Sequence, residues 1–176
     1  MHENYRRDQE LMKYAQTDAL TGLYNKETTK LRTDEILSTD KDMIHAFLIL
    51  DMDCFKQIND GYGHAVGDIV LQKFGQLLRD IFREDDIVGR IGGDEFVVVM
   101  KNIKMKEMAI AKAEELLTKT QQYEIKELNG SAISISIGIA MAPEDGDCYM
   151  DLYKRADQAL YQAKRSGKAR VCNYFS

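Results

Sequence analysis

Apolar positions along this chain change period in a set order, and each change marks an element. Phe47-Leu48-Ile49-Leu50 is an unbroken apolar run ending on Asp51, the pattern of a buried strand, and predicts β-structure from Met43 to Asp51. A short helical turn is expected from Phe55. Val66, Ile69, Val70, Phe74, Leu77, Leu78 and Ile81 then recur at helical spacing and predict a long helix from Ala65 to Phe82. Two β-rich runs follow, Ile87–Ile91 and Phe96–Met100. Between them lies Gly92-Gly93-Asp94-Glu95, whose glycines tolerate the positive φ of a tight hairpin turn. Ser134–Ala140 alternates small polar and apolar residues, a strand pattern that Pro143, the only proline, ends.

Weaker signals fill the gaps. Asn25 can cap a helix over Lys26 to Leu37, a further helix covers Met105 to Thr120, and a closing one runs from Tyr149 to Lys164, stopping near Gly167. Tyr123-Glu124-Ile125-Lys126 reads as a minor strand turning at Asn129-Gly130, and Arg170 to Phe175 as a last strand. Residues 1–16 are charged, with Leu11, Met12 and Ala15 as a thin apolar stripe, and read as a leading helix that connects to the domain. Residues 17–176 then form one α+β domain, a central mixed sheet of five strands flanked by helices.

Composition narrows the function. A chain of 176 residues with 44% hydrophobic and 30% charged residues fits one globular domain. The net charge, 24 − 29 = −5, speaks against a general nucleic-acid binder, so any phosphate ligand must be met by local cations and metal. Cys54, Cys148 and Cys172 lack Cys-x-x-Cys spacing and suggest reduced thiols in a cytosol. His2, His45 and His64 have no metal-binding spacing. No stretch approaches the roughly 20 apolar residues that span a bilayer, and the polar start does not resemble a signal peptide. The expectation is a cytoplasmic segment without membrane contact, whatever a longer parent carries.

The chemistry gathers at strand ends. Asp51 closes one strand and Asp94-Glu95 sits on the hairpin, and carboxylates from neighbouring strand ends are a means of holding Mg²⁺ against a phosphate. An EF-hand loop starting at Asp51 is excluded, because its sixth position is Lys56 rather than Gly and its twelfth is Tyr62 rather than Glu. Asp53 is expected to cap a helix or to accept a hydrogen bond behind the site. The backbone N–H groups of Cys54, Phe55 and Lys56 open a short helix just past a strand, a ready anion site. Gly61-x-Gly63-x-x-x-Gly67 is one residue too long for a dinucleotide fingerprint, and Gly167-Lys168 is followed by Ala169, so no Walker A loop is present. By themselves Asn59-Asp60-Gly61 reads as a turn and Asp68 as a residue on a helix surface.

Four ordered segments carry a family resemblance. Asp18-Ala19-Leu20-Thr21-Gly22-Leu23-Tyr24-Asn25-Lys26, Asp51-Met52-Asp53-Cys54-Phe55-Lys56-Gln57-Ile58-Asn59-Asp60, Gly92-Gly93-Asp94-Glu95-Phe96 and Ala156-Asp157-Gln158-Ala159-Leu160-Tyr161-Gln162-Ala163-Lys164 resemble the GGDEF family of diguanylate cyclases. The resemblance runs from about Thr17 to the end and implies a βαββαβ core. It implies that two GTP molecules become cyclic di-GMP and two pyrophosphates, with Mg²⁺, or Mn²⁺ in its place, held by Asp51, Asp94 and the Met52 carbonyl. Glu95 would ligate metal or activate the attacking hydroxyl. Asn59 and Asp68 would hold guanine, while Lys164 and Lys168 would contact phosphates. Lys168 stands where the family more often has Arg. Arg83 and Asp86 match the family's RxxD site, at which cyclic di-GMP inhibits. A homodimer and an upstream sensor domain are further implications. The rival expectation is a catalytically silent module that binds GTP or cyclic di-GMP as a receptor.

Overall fold

A computed structural model describes residues 15–174. Ten of the predicted elements are present, with bounds within a few residues of those expected. The order is α1 (Lys26–Thr39), β1 (Ile44–Met52), α2 (Phe55–Tyr62), α3 (His64–Ile81), β2 (Ile87–Gly92), β3 (Glu95–Ile103), α4 (Lys106–Gln122), β4 (Ile135–Ala142), α5 (Tyr149–Arg165) and β5 (Val171–Asn173). The five strands form one sheet in the order β2-β3-β1-β4-β5. Every neighbouring pair is antiparallel except β4 with β5, so the sheet is mixed, as expected.

Both faces of the sheet are covered, which is why β1 reads as a continuous apolar run. Side chains alternate across a strand. Leu48, Leu50, Phe96 and Val98 accordingly point into the core beneath α3 and α4, where Phe74 meets Phe96 edge-on at 5.0 Å. Phe47, Ile49, Val97 and Val99 point the other way, into a second core closed by α5 and Leu37 of α1. The small residues of β4 serve this second face. A Cβ on Gly138 would fall 2.1 Å from the Ala156 carbonyl oxygen, so the alternation there reflects the close approach of α5 rather than solvent.

Two expectations need correction, and one lies outside view. The predicted strand at Tyr123–Lys126 is absent: extended backbone leads into a 3-10 turn, Lys126–Leu128. Ile125 and Leu128, both fully buried, drop into the core at a spacing of three, which such a turn satisfies and an alternating strand does not. The last strand is three residues long rather than six. Of the leading helix, residues 1–14 lie outside the described part. Asn25 meets the chain that follows them: its Oδ1 accepts from the Thr28 N–H at 2.9 Å, capping α1, and its Nδ2 donates to the Ala15 carbonyl at 2.8 Å. Among the described residues no helix is long and apolar enough to cross a membrane, and Cys54, Cys148 and Cys172 are all free.

Candidate active site

The β2–β3 hairpin turns on Gly93 and Asp94 rather than on Gly92 and Gly93, because Gly92 still pairs with Glu95. Gly93, at φ +48°, supplies the left-handed conformation, and the register slips between Arg90 and Gly92. Asp94 therefore leaves from the turn and Glu95 from the first residue of β3, which frees them from the opposite-face rule of a regular strand. Asp51 lies directly across from Glu95 in the β1–β3 register, and the Met52 N–H donates to the Asp94 carbonyl at 3.3 Å. Three carboxylates thus stand at one end of the sheet.

The turn is braced from behind. Arg90 donates through Nε to the Gly93 carbonyl at 2.9 Å and through Nη1 to both oxygens of Asp18, at 3.1 and 3.2 Å. Asp18 also accepts the Thr21 N–H and hydroxyl, at 2.9 and 2.7 Å. Burial works to raise the Asp18 carboxyl, but the Thr21 and Arg90 donors outweigh it and leave it below its ordinary value. Sequence reasoning singled out neither residue as a support for the turn, although the Asp18–Lys26 segment was conspicuous.

At the site itself the balance reverses. Burial pushes Asp51 up to about 6, repulsion from Asp94 and Glu95 adds to the rise, and Lys164 Nζ, 2.9 Å from Oδ1, opposes it. Glu95 is engaged elsewhere: its Oε1 accepts the Tyr153 hydroxyl at 2.7 Å. The three carboxylates do not close into a tripod. The one trio among the described residues with ligand atoms within 4.8 Å of one another is Asp147, Cys148 and Asp151, at the start of α5, where Asp147 and Asp151 are exposed acids next to a helix N-terminus.

The candidate phosphate and base residues border this end. Cys54 takes a left-handed conformation, φ +58°, and starts α2. Gln57 is the first helical N–H to find a partner, in the Cys54 carbonyl at 2.9 Å, and those of Cys54, Phe55 and Lys56 donate to no described residue. Lys168 arrives from beyond α5, its Nζ 3.3 Å from Cys54 Sγ. Asp53 does not cap α2. Its oxygens accept the hydroxyls of Ser134 and Ser136, at 2.6 and 2.7 Å, and the Ala169 N–H at 3.1 Å, so it ties β1 to β4 and to the segment carrying Lys168. Asn59 lies over Gly67, where a Cβ would come within 1.9 Å of its Oδ1, and Asp68 follows, exposed, on α3. That close contact is what Gly67 is for.

Arg83 and Asp86 sit at the far end of the hairpin. Asp86 is buried, and its two oxygens accept the N–H groups of Arg83 and Lys101, each at 3.0 Å. Burial raises it, against the pull of these two donors. The Arg83 side chain is exposed. Asp86, by contrast, is turned inward and shapes the loop.

This architecture is a known one. The family model "Diguanylate cyclase, GGDEF domain" matches residues 15–170, and the chain belongs to that family. Diguanylate cyclase DgcS of Shewanella oneidensis is 37% identical over 163 residues, covering 91% of this chain and 53% of DgcS. The GGDEF domain of YfiN from Pseudomonas aeruginosa is 35% identical with a TM-score of 0.84, covering 90% of this chain and 94% of that one. The GGDEF domain of DgcB from Caulobacter crescentus, solved in complex with c-di-GMP, is 27% identical with a TM-score of 0.84, covering 92% and 97%. The chain spans about half or less of the length of the curated relatives it matches first.

Proposed function

We propose that this chain is a diguanylate cyclase domain that condenses two GTP molecules into cyclic di-GMP and two pyrophosphates. The observation that carries the reading is the gathering of Asp51, Asp94 and Glu95 at one sheet end, with Asp51 driven up to about 6. Carboxylates crowded at such a cost are poised for a cation. The donor set of Asp51, Asp94, Glu95 and the Met52 carbonyl is oxygen only, which fits Mg²⁺ or Mn²⁺ rather than a soft metal. When bound, such an ion neutralises triphosphate charge and favours ionisation of the attacking 3′-hydroxyl.

The protein's own groups position the rest. The N–H groups of Cys54, Phe55 and Lys56 face an anion, and Lys164 and Lys168 supply cationic charge to the phosphates. Asp51, Asp94, Glu95 and the Met52 carbonyl would hold the ion, and Lys164, 2.9 Å from Asp51, would add cationic charge beside it. Asn59 and Asp68 hold the guanine edge. The 3′-oxygen of one GTP attacks the α-phosphorus of the other and pyrophosphate leaves, twice in all, so catalysis is mainly positioning and charge neutralisation. One domain presents one GTP, and a two-fold symmetric product calls for two domains face to face. Arg83, on the loop that Asp86 shapes, is the contact for inhibitory cyclic di-GMP. A sensor domain upstream would set the encounter of the two domains, and the greater length of the relatives leaves room for further domains.

The complex of DgcB with c-di-GMP supports a receptor as the rival reading. Incubation with GTP and Mg²⁺ followed by chromatography of the nucleotides separates the two. A cyclase yields cyclic di-GMP at initial rates that climb faster than linearly with protein concentration. A receptor binds nucleotide and leaves GTP intact.

A further inference from the structure

We infer that Tyr153 is a positioning residue for Glu95, an inference that rests on the placement of Glu95 in the site proposed above. The helix α5 meets the cross-strand pair Asp51 and Glu95 with two donors, Lys164 Nζ on Asp51 at 2.9 Å and the Tyr153 hydroxyl on Glu95 at 2.7 Å. Tyr153 and Lys164 are eleven residues apart, close to three turns, and so lie on one side of the helix. A single rigid element thereby sets both carboxylates.

The hydroxyl is held still. The Tyr153 ring stacks on Tyr149, centroids 5.8 Å apart at 23°, and Tyr149 in turn packs edge-on against Phe47 at 5.4 Å. Tyr149 is buried, and its N–H donates to Asp34 of α1 at 2.7 Å, which fastens the column to a second helix. With Oε1 of Glu95 engaged by Tyr153, Oε2 is the oxygen left for other partners. Beside Glu95 lies a cavity of about 310 Å³ lined by Ile91, Tyr149, Met150 and Tyr153 among others. Without the hydroxyl, the carboxylate gains an alternative place to go. A donor behind a metal-ligating carboxylate fixes its orientation and basicity, and loss of one typically weakens metal affinity or activity by about ten- to a hundredfold.

The test is Tyr153→Phe, which keeps the stacked ring and removes only the hydroxyl. Two readouts are taken: turnover of GTP, and calorimetric binding of Mg²⁺ in the presence of a non-hydrolysable GTP analogue, each also in a Glu95→Ala background. The expected result is a kcat lowered about tenfold, with KM for GTP little changed, and weaker Mg²⁺ binding. In the Glu95→Ala background the substitution should have no further effect on Mg²⁺ binding. Wild-type kcat and Mg²⁺ binding in Tyr153→Phe overturn the inference, as does an equal loss of binding with and without Glu95, since the hydroxyl would then act through something else. If Tyr153→Phe behaves as wild type while Glu95→Ala is inactive, the inference alone fails. If Glu95→Ala retains full turnover and full Mg²⁺ binding, the site assignment fails and takes the inference with it.

Discussion

Asp51 and Asp86 stand at opposite ends of the strands β1 to β3, and burial raises both. Their partners differ in kind. Asp86 spends its two oxygens on backbone N–H groups, from Arg83 and Lys101. Asp51 faces two other carboxylates and is met by the tip of one long, partly exposed lysine. Backbone donors cannot leave without unfolding the loop, whereas the tip of a long side chain has rotamers that take it elsewhere. The same residue type is structural in one place and available for chemistry in the other. What separates them is whether the partner is fixed. Asp53, bonded to two serines and the Ala169 N–H, belongs with Asp86 in this respect.

The sharpest break of this contrast is to delete the available carboxylates. Asp94→Ala or Glu95→Ala should lower cyclic di-GMP formation by on the order of 10³-fold or more, with melting temperature little changed, as followed by chromatography and calorimetry. Near-normal synthesis by either variant would remove the site from this end of the sheet. Asp86→Ala should do the reverse: removing the shared acceptor of two part-buried N–H groups costs roughly 1–3 kcal/mol of stability, while turnover per folded molecule at low temperature persists. Denaturant unfolding measures the first, and a loss below about 1 kcal/mol would place Asp86 outside the structural class. The smallest effect is expected at Arg83→Ala, whose exposed side chain should leave stability within about 0.5 kcal/mol but remove inhibition by added cyclic di-GMP. Inhibition that survives the substitution argues for a different regulatory contact.

Much of the framework was legible because burial leaves a periodic trace. The run Phe47–Leu50, the stripe from Val66 to Ile81 and the closing helix were each set by one dominant pattern. Where two patterns competed, the sequence misled. Tyr123 to Lys126 resembled a strand because apolar and charged residues alternate there, yet the buried pair is Ile125 and Leu128, whose spacing of three suits a 3-10 turn. The turn residues were shifted by one because either pair of the Gly-Gly-Asp-Glu run can form a hairpin, and pairing of Gly92 with Glu95 decides between them. Within the site, Asp51, Asp94 and Glu95 were visible as strand-end carboxylates. Tyr153 and Arg90 were not, since a tyrosine in an amphipathic helix and an arginine in a strand carry no local sign of what they will touch. Gly67 held a readable clue, because a glycine inside an otherwise regular helix asks for a close neighbour, here Asn59.

One substitution tests the central claim, that the exposed sheet end carries charge held against its own stability for the sake of chemistry. The Asp51 carboxyl has a folded value of about 6 against an ordinary 3.8, so the folded state binds the proton more tightly. Stability in metal-free buffer should therefore fall as pH rises from about 4 to about 6 and stay lower above that, a change of up to roughly 3 kcal/mol at 1.36 kcal/mol per pH unit. Asp51→Asn removes the buried charge and also the partner of Lys164, which leaves an expected net gain of about 1 kcal/mol at neutral pH. Measured together on that variant, a higher melting temperature without divalent cations and a loss of cyclic di-GMP synthesis with Mg²⁺ are the predicted result. A variant that melts lower than wild type and still makes cyclic di-GMP would contradict the account.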